Sequence, residues 1–233
     1  MKQNTPIRSA LRSAFPKTLP VMAGYLFLGF SYGLYMHAEG FPFYYPMLMA
    51  WLIYGGSLEF VAVSMLTSPF APLSNFILAF LIQARHLFYG LAMLERYKGL
   101  GWKKYYLIFA MSDETFAVNS SAAIPPGIDE GWFMVFVSFL DRMYWICGAG
   151  AGALFGSLLP IPTEGLSFVM TAMFAAIFMD RFFRERRRIA SCIGLAASLI
   201  CLFFFGPDRF MIPAMLAIIL LLWGTFQKGV DAA

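Results

Sequence analysis

The stretch that decides the fold lies between residues 132 and 159 and reads WFMVFVSFLDRMYWICGAGAGALFGSLL. Only Asp141 and Arg142 interrupt its apolar run with charge. The run exceeds the roughly 20 residues that an α-helix needs to cross a bilayer. Its apolar residues are continuous and do not alternate with polar ones, which favours a helix over a strand. The stretch therefore predicts a helix in a membrane.

The rest of the chain has the same character. Apolar residues make up 60% of the 233 residues and charged residues 13%, whereas a soluble domain carries about a quarter charged residues, so we expect the surface to face lipid. No polar stretch between the apolar blocks is long enough for a separate soluble domain. We predict an all-α integral membrane protein, a polytopic helical bundle forming one transmembrane domain over residues 1–233. Its eight apolar blocks cover residues 19–36, 43–66, 73–94, 105–123, 132–159, 165–180, 189–205 and 210–226.

The positions of Lys and Arg predict how the blocks cross the membrane. If all eight cross once, the basic residues between them divide ten to five, whereas membrane proteins concentrate such residues on the cytoplasmic side. If blocks 43–66 and 132–159 each enter and return on one side, the division becomes fourteen to one, and only Arg209 lies outside. This arrangement predicts that residues 96–104, residues 181–188 and both termini are cytoplasmic.

Both of these blocks contain residues that can interrupt a helix. Block 43–66 contains Tyr54-Gly55-Gly56-Ser57, and block 132–159 is rich in glycine, which lets the backbone leave the helical conformation. Broken segments in two halves of a membrane protein indicate a transporter site. We therefore predict two broken or re-entrant segments. In the second of them, Gly148, Gly152 and Gly156 recur every four residues, a spacing that also predicts close helix packing.

Several charged residues fall inside the apolar blocks, where each costs at least about 2.5 to 3.5 kcal/mol. They are Glu59, Arg85, His86, Asp113, Glu114, Asp141 and Arg142. One interpretation is that they pair with each other and fix the packing of the helices. The other is that they line a polar cavity, because neighbours such as Asp113 and Glu114 point about 100° apart and cannot all meet one partner.

Other kinds of chemistry have little support in the sequence. The net charge of +4 comes from short basic loops and not from a basic face, so we predict no nucleic-acid binding. His86 has no second ligand at metal spacing, and no phosphate-binding loop or dinucleotide fold is present, so we predict no metal and no cofactor. Three cysteines in apolar stretches imply no disulfide framework. An intramembrane enzyme would have to rely on His86 and Asp113 without a nucleophile.

Five short motifs, in this order, resemble the AzlC family of branched-chain amino acid exporters. They are Gly29-Phe30-Ser31-Tyr32-Gly33, Gly55-Gly56-Ser57-Leu58-Glu59-Phe60, Gln83-Ala84-Arg85-His86-Leu87-Phe88-Tyr89-Gly90, Ser112-Asp113-Glu114-Thr115-Phe116-Ala117 and Tyr144-Trp145. The resemblance covers residues 24–152, and beyond residue 160 it is one of hydropathy. Glu59 and Gln83 depart from the family, which often has glutamine and asparagine there, and Glu59 adds a titratable group.

The resemblance implies a secondary exporter of the bacterial inner membrane. Such proteins act with a small AzlD-type membrane subunit on leucine, isoleucine, valine and sometimes methionine. The resemblance therefore implies a two-component permease and not an enzyme. We also consider homo-oligomers of this chain as partners. The alternatives are an assembly subunit that does not itself transport and an intramembrane enzyme.

A zwitterionic amino acid needs a cation or a helix N-terminus for its carboxylate, an acid for its ammonium and apolar walls for its side chain. The candidates for the carboxylate are Arg85 and the half-helix after Gly55-Gly56. Asp113 and Glu114 are the candidates for the ammonium or for a proton. The full set of predicted site residues is Gly55, Gly56, Ser57, Glu59, Phe60, Arg85, His86, Phe88, Asp113, Glu114 and Tyr144.

Overall fold

A computed structural model describes residues 6–158, 188–206 and 210–230, together with residues 168, 171, 172, 175, 178, 179, 182 and 183. Ten α-helices can be bounded within the described residues, which contain no β-strand, as predicted for an all-α protein. The helices are α1 (Pro6–Ala38), α2 (Tyr44–Leu52), α3 (Gly56–Thr67), α4 (Pro72–Gln83), α5 (Arg85–Ala92), α6 (Lys103–Phe109), α7 (Asp113–Ser121), α8 (Glu130–Leu158), α9 (Ile189–Phe205) and α10 (Met211–Val230).

The chain divides into two compact units, residues 1–169 and 170–233. Helices α1 and α8 form the centre of the first unit. Ala14 of α1 packs in one cluster with Phe133 of α8, and further along both helices the backbone of Gly156 lies against His37. The two helices are therefore parallel. The end at which both begin carries Arg8 and Arg12 and is called the basic end. The other end is called the far end.

Helices α2 and α3 form a broken segment, as predicted for block 43–66. Between them Tyr54 adopts φ +46°, which no helix allows. Helix α2 brings Met47 against Gly150 and Trp51 against Arg142, so it runs from the far end towards the middle of α8. Helix α3 turns back, because Phe60 packs on Tyr35 near the end of α1. The segment therefore enters and returns at the far end.

The prediction that block 132–159 is broken is wrong. Helix α8 is continuous from Glu130 to Leu158. Its glycines serve close packing instead: a Cβ on Gly148 would lie 2.9 Å from the carbonyl oxygen of Leu26 in α1. Without side chains at these positions the two helix backbones can approach each other. The spacing of the glycines thus correctly predicted the seam, although their number suggested a break.

Block 105–123 folds back instead, which the sequence analysis did not predict. At its start, Lys103 forms an ion pair with Asp129, 3.1 Å away, beside the first residue of α8. At its end, Arg96 donates to the carbonyl oxygen of Ser120 and also pairs with Glu130. Both ends of the α6–α7 segment therefore lie at the basic end, and the chain turns at residues 110–112 between them.

The α4–α5 segment runs from one end of the bundle to the other. It bends by 41° at the break between Gln83 and Arg85. Its last part leads to Met93 and Tyr97, which pack in the cluster of Ala14 and Phe133 at the basic end. This segment is therefore the return path that connects the far end of α1 to the start of α6.

The second unit contributes helices α9 and α10, which pack on each other. Most of block 165–180, residues 181 and 184–187, and Arg209 lie outside the described residues. The eight predicted segments and the single domain therefore stay predictions. Judged by length and composition, α1 is the one described helix that could span a membrane unaided, and the bent α4–α5 pair would be a second if it acts as one span.

Candidate functional site

The three helix breaks meet beside one turn of α8, and this meeting point is the candidate site. The break after α2 faces Arg142, which donates to the carbonyl oxygen of Trp51. The break after α6 faces Asp141, which accepts from Thr115. The bend after α4 brings the side chain of Gln83 against Gly55. A single turn of an unbroken helix is thus surrounded by irregular backbone on several sides.

Glu59 lies in the first turn of α3 and is fully buried. One carboxylate oxygen accepts from the backbone N–H of Gly55 at 3.0 Å, and the indole N–H of Trp145 lies 3.1 Å from both oxygens. A negative charge at a helix N-terminus is stabilised by the helix dipole. Glu59 therefore occupies the N-terminus of the half-helix that was a sequence-based candidate for binding a substrate carboxylate. Gly56 lets the Trp145 ring lie close, because a Cβ there would lie 3.3 Å from that ring.

Arg85, the first residue of α5, joins two other helices. Its guanidinium lies 2.9 Å from a carboxylate oxygen of Asp113 in α7 and donates to the hydroxyl of Ser57 in α3 at 3.0 Å. The two charged side chains are 39% and 23% exposed, so this pair is open to a ligand. One Asp113 oxygen and the Arg85 Nε are buried without a hydrogen-bond partner in the described structure.

Arg142 is held away from the neighbouring acid. Besides its bond to Trp51, its guanidinium lies 4.7 Å from the ring centre of Phe109 and 5.7 Å from that of Tyr54. A cation near the last carbonyls of α2 complements the helix dipole, and the ring faces add cation–π attraction. Arg142 therefore holds the ends of α2 and α6 together and does not neutralise Asp141.

A chain of hydrogen bonds connects two acids in the same region. The Tyr25 hydroxyl lies 2.6 Å from Glu114 and 2.7 Å from the Ser112 hydroxyl. Ser112 caps α7 by accepting from the Thr115 N–H, and its hydroxyl lies 2.9 Å from that of Thr115. The Thr115 hydroxyl donates to Asp141 at 3.0 Å. Five side chains from α1, α7, the α6–α7 turn and α8 thus form one connected set.

The other predicted site residues lie around this cluster or outside it. Phe60 is buried between Tyr32 and Tyr35, and His86 is half-buried, with Nδ1 3.3 Å from the Gln83 carbonyl oxygen. Phe88 is 67% exposed and lies outside the cluster. Tyr144 contacts Thr18 between α1 and α8 and makes no contact with the charged residues among the bonds of the described structure.

Several members of the cluster were not among the predicted site residues. Tyr25, Ser112, Thr115 and Trp145 were absent because neutral side chains in an apolar block carry no visible cost, and Asp141 and Arg142 were noted as charged residues without being placed in the site. Ser112 could have been found, since a serine directly before two acids is typical of a helix N-cap. No signal in the sequence marks Tyr25, which reaches the site only because α1 packs on α8.

Broken helices that meet at buried charged residues near the middle of a helical bundle are typical of membrane transporters. A comparison with family models agrees: residues 20–159 match the model described as AzlC protein. The chain belongs to the AzlC family.

Relatives of known sequence extend the match to almost the whole chain. The chain is 48% identical to the branched-chain amino acid transport protein AzlC of Bacillus subtilis (strain 168), over 94% of this chain and 86% of the relative. It is 44% identical to a membrane protein of Haemophilus influenzae, over 95% and 91%. It is 26% identical to the inner membrane protein YgaZ of Escherichia coli (strain K12), over 79% and 78%. No solved structure matches.

Proposed function

We propose that this chain is a secondary transporter of the bacterial inner membrane that exports leucine, isoleucine, valine and methionine together with a small AzlD-type membrane subunit. The B. subtilis relative is named as a branched-chain amino acid transport protein. The observation that carries the proposal is the partly exposed pair of Arg85 and Asp113, which lies beside a helix bend and keeps buried, unpartnered atoms on both side chains.

This pair suits a zwitterion because it presents the two charges that an amino acid needs. In the structure the cation and the acid satisfy each other, 2.9 Å apart. An amino acid would place its carboxylate on Arg85 and its ammonium on Asp113, so one ion pair would become two. The planar guanidinium suits a carboxylate because it donates two parallel hydrogen bonds. Ser57, already bonded to Arg85, would fix the orientation of the guanidinium.

The proposed topology has the basic end in the cytoplasm. Arg8, Arg12 and the loop 96–104 lie at that end, and cytoplasmic loops concentrate such residues. Folding back at α6–α7 in place of block 132–159 leaves the fourteen-to-one division of charge unchanged, because residues 124–131 contain neither Lys nor Arg. The termini and residues 181–188 stay cytoplasmic in this proposal.

The proposed site is tested by measuring leucine exchange in liposomes that contain the purified chain and its partner subunit. Arg85→Lys keeps the positive charge but loses the planar guanidinium that can donate two parallel hydrogen bonds to a carboxylate. Losing one partner of a buried charged pair costs about 2 to 5 kcal/mol. Because this pair is partly exposed and lysine keeps the charge, the loss should lie at or below the lower end of that range, so leucine binding should weaken by roughly tenfold to thirtyfold. Arg96→Lys is a matched control, because Arg96 also bonds to one acid and one further oxygen, at the basic end.

The outcomes separate the proposal from its alternatives. A stable Arg85→Lys protein that binds leucine as well as Arg96→Lys does would remove Arg85 from the site. Leucine exchange that needs both subunits supports the two-component permease, and equal exchange by this chain alone contradicts it. Chemical conversion of leucine would indicate an enzyme, whereas a complex that binds and exchanges nothing would indicate an assembly subunit.

A further inference from the structure

The hydrogen-bonded chain of side chains from Glu114 to Asp141 can be oriented in either of two directions. Tyr25 has a single hydroxyl hydrogen, yet its oxygen lies within hydrogen-bond distance of two acceptors, Glu114 and Ser112. It can donate to only one of them at a time. Either the Glu114 carboxyl donates to Tyr25, which then donates to Ser112, or Ser112 donates to Tyr25, which then donates to Glu114.

Each direction satisfies every hydroxyl in the chain. In the first, Glu114 carries a proton, and the hydroxyls of Tyr25, Ser112 and Thr115 each donate one step onwards, ending on an ionised Asp141. In the second, Asp141 carries the proton and all the hydroxyls point back towards Glu114. Ser112 can accept the N–H bond from Thr115 in both, because a hydroxyl oxygen has two lone pairs. The two arrangements differ only by the position of one proton.

Asp141 has the surroundings of a proton-binding group. It is fully buried, it accepts one hydrogen bond from Thr115, and its other oxygen has no partner in the described structure. The adjacent Arg142 bonds to Trp51 instead. The other titratable groups that face Asp141 are Glu114 and Tyr54, and neither supplies a positive charge. A buried carboxylate without a cation and with few hydrogen bonds is costly, so binding a proton stabilises it.

We propose that Glu114 and Asp141 share one proton, which passes through the hydroxyls of Tyr25, Ser112 and Thr115. Glu114 is half-buried and exchanges the proton with water, whereas Asp141 stores it away from solvent. In the transfer, the O–H bond of Glu114 breaks, each hydroxyl gives its hydrogen to the next oxygen while receiving one, and a new O–H bond forms on Asp141. No oxidant or further reactant is needed.

The relay deepens the proposed function and rests on it, because it connects proton binding to the substrate site. Asp113, the proposed ligand of the substrate ammonium, is the neighbour of Glu114 in the first turn of α7. An ammonium arriving there stabilises negative charge on Glu114. The proton then moves to Asp141. Substrate binding and the position of the proton are thereby coupled. When the ammonium leaves, the O–H bond of Asp141 breaks, the proton returns through the same hydroxyls to Glu114, and Glu114 releases it to the water that the site then faces, so export of an amino acid would be accompanied by movement of a proton.

The test uses the complete complex in liposomes and measures two quantities. The first is exchange of labelled against unlabelled leucine, which needs no net proton transfer. The second is proton movement driven by a leucine gradient, followed with a trapped pH-sensitive dye. Tyr25→Phe should reduce proton movement by about tenfold or more and reduce leucine exchange much less. Tyr32→Phe is a matched control: it removes a buried hydroxyl from the same helix, and that hydroxyl contacts only Met49 among the hydrogen bonds of the described part.

A second pair of variants covers the case in which Tyr25→Phe fails to fold. Thr115→Ser keeps the hydroxyl and should keep proton movement, whereas Thr115→Val should lose it while exchange continues. Equal proton movement in Thr115→Val and Thr115→Ser, or in Tyr25→Phe and Tyr32→Phe, overturns the relay. An infrared band of a protonated carboxyl that disappears in Asp141→Asn supports it independently of transport, and its absence from the unmodified protein contradicts it. A complex without any leucine exchange contradicts the proposed function instead.

Discussion

The glycine seam between α1 and α8 gives the sharpest test of the fold. A Cβ added to Gly152 would overlap the carbonyl oxygen of Phe30 in the backbone of α1, and one added to Gly33 would overlap that of Ala149 in α8. A flexible side chain could rotate away from such a contact, but backbone atoms cannot. Gly152→Ala must therefore push the two helices apart along the part of α8 that leads to the candidate site.

The size of the effect follows from two opposing terms. Overpacking costs about 1 to 3 kcal/mol, and contacts with backbone belong at the upper end of that range. Alanine gains roughly 1 kcal/mol over glycine in a helix. The net loss is therefore about 2 kcal/mol, which lowers the melting temperature of a chain of this size by roughly 4 to 8 °C.

The measurement is thermal unfolding of the purified variants in detergent. Gly24→Ala is the matched control, because it lies on α1 and a Cβ there has no atom within 4 Å. It should leave the melting temperature unchanged or raise it. If Gly152→Ala and Gly33→Ala melt at the same temperature as Gly24→Ala, the two helices do not pack through these glycines and the parallel arrangement is wrong.

Two further predictions concern the basic end. In the proposed topology α6–α7 folds back on the cytoplasmic side. In a background without the three native cysteines, Pro126→Cys should therefore resist a membrane-impermeant label in whole cells and Pro42→Cys should react. Labelling of Pro126→Cys would contradict that topology. Asp129 caps α8 by accepting from the Trp132 N–H at 2.7 Å, so Asp129→Ala should cost about 0.5 to 2 kcal/mol. The Trp132 N–H, aided by Lys103, lowers the pKa of Asp129. The ionised Asp129 carboxylate therefore stabilises the fold at neutral pH. This stabilisation is lost as the pH falls below the ordinary Asp pKa of about 4 and then through the lowered pKa of Asp129. Melting curves of Asp129→Asn should not show this loss.

The sequence predicted the helical class and one of the breaks for clear physical reasons. Long apolar blocks leave helices as the simplest way to satisfy the backbone in lipid, and Gly55-Gly56 interrupts block 43–66 as expected. The prediction of a break in block 132–159 was wrong because glycine serves two purposes. It can end a helix, or it can let a second helix approach. Which purpose applies depends on whether a partner helix lies alongside, and the local sequence does not contain that information.

The sequence pointed to the candidate site mainly through its charged residues, together with the stretch Gly55-Gly56-Ser57. Arg85, Asp113 and Glu59 stand out in the sequence because charge in an apolar block is costly. Their partners could not be predicted, since each bond joins residues far apart in the chain: Arg85 to Ser57, Glu59 to Trp145 and Tyr25 to Glu114. The prediction that the charges either pair with each other or line a cavity was too simple, because Arg85 pairs with an acid while Arg142 pairs with backbone.

The adjacency of Asp141 and Arg142 explains why α8 has to be the unbroken element. Neighbouring residues on a helix point about 100° apart, so two opposite charges in sequence serve two different directions. Arg142 meets the C-terminal carbonyl at the end of α2, where a cation is favoured, and Asp141 meets the first turn of α7 through Thr115. A break in α8 at this turn would separate the two charges and release both broken segments. The irregular backbone that forms the candidate site therefore depends on one regular helix beside it.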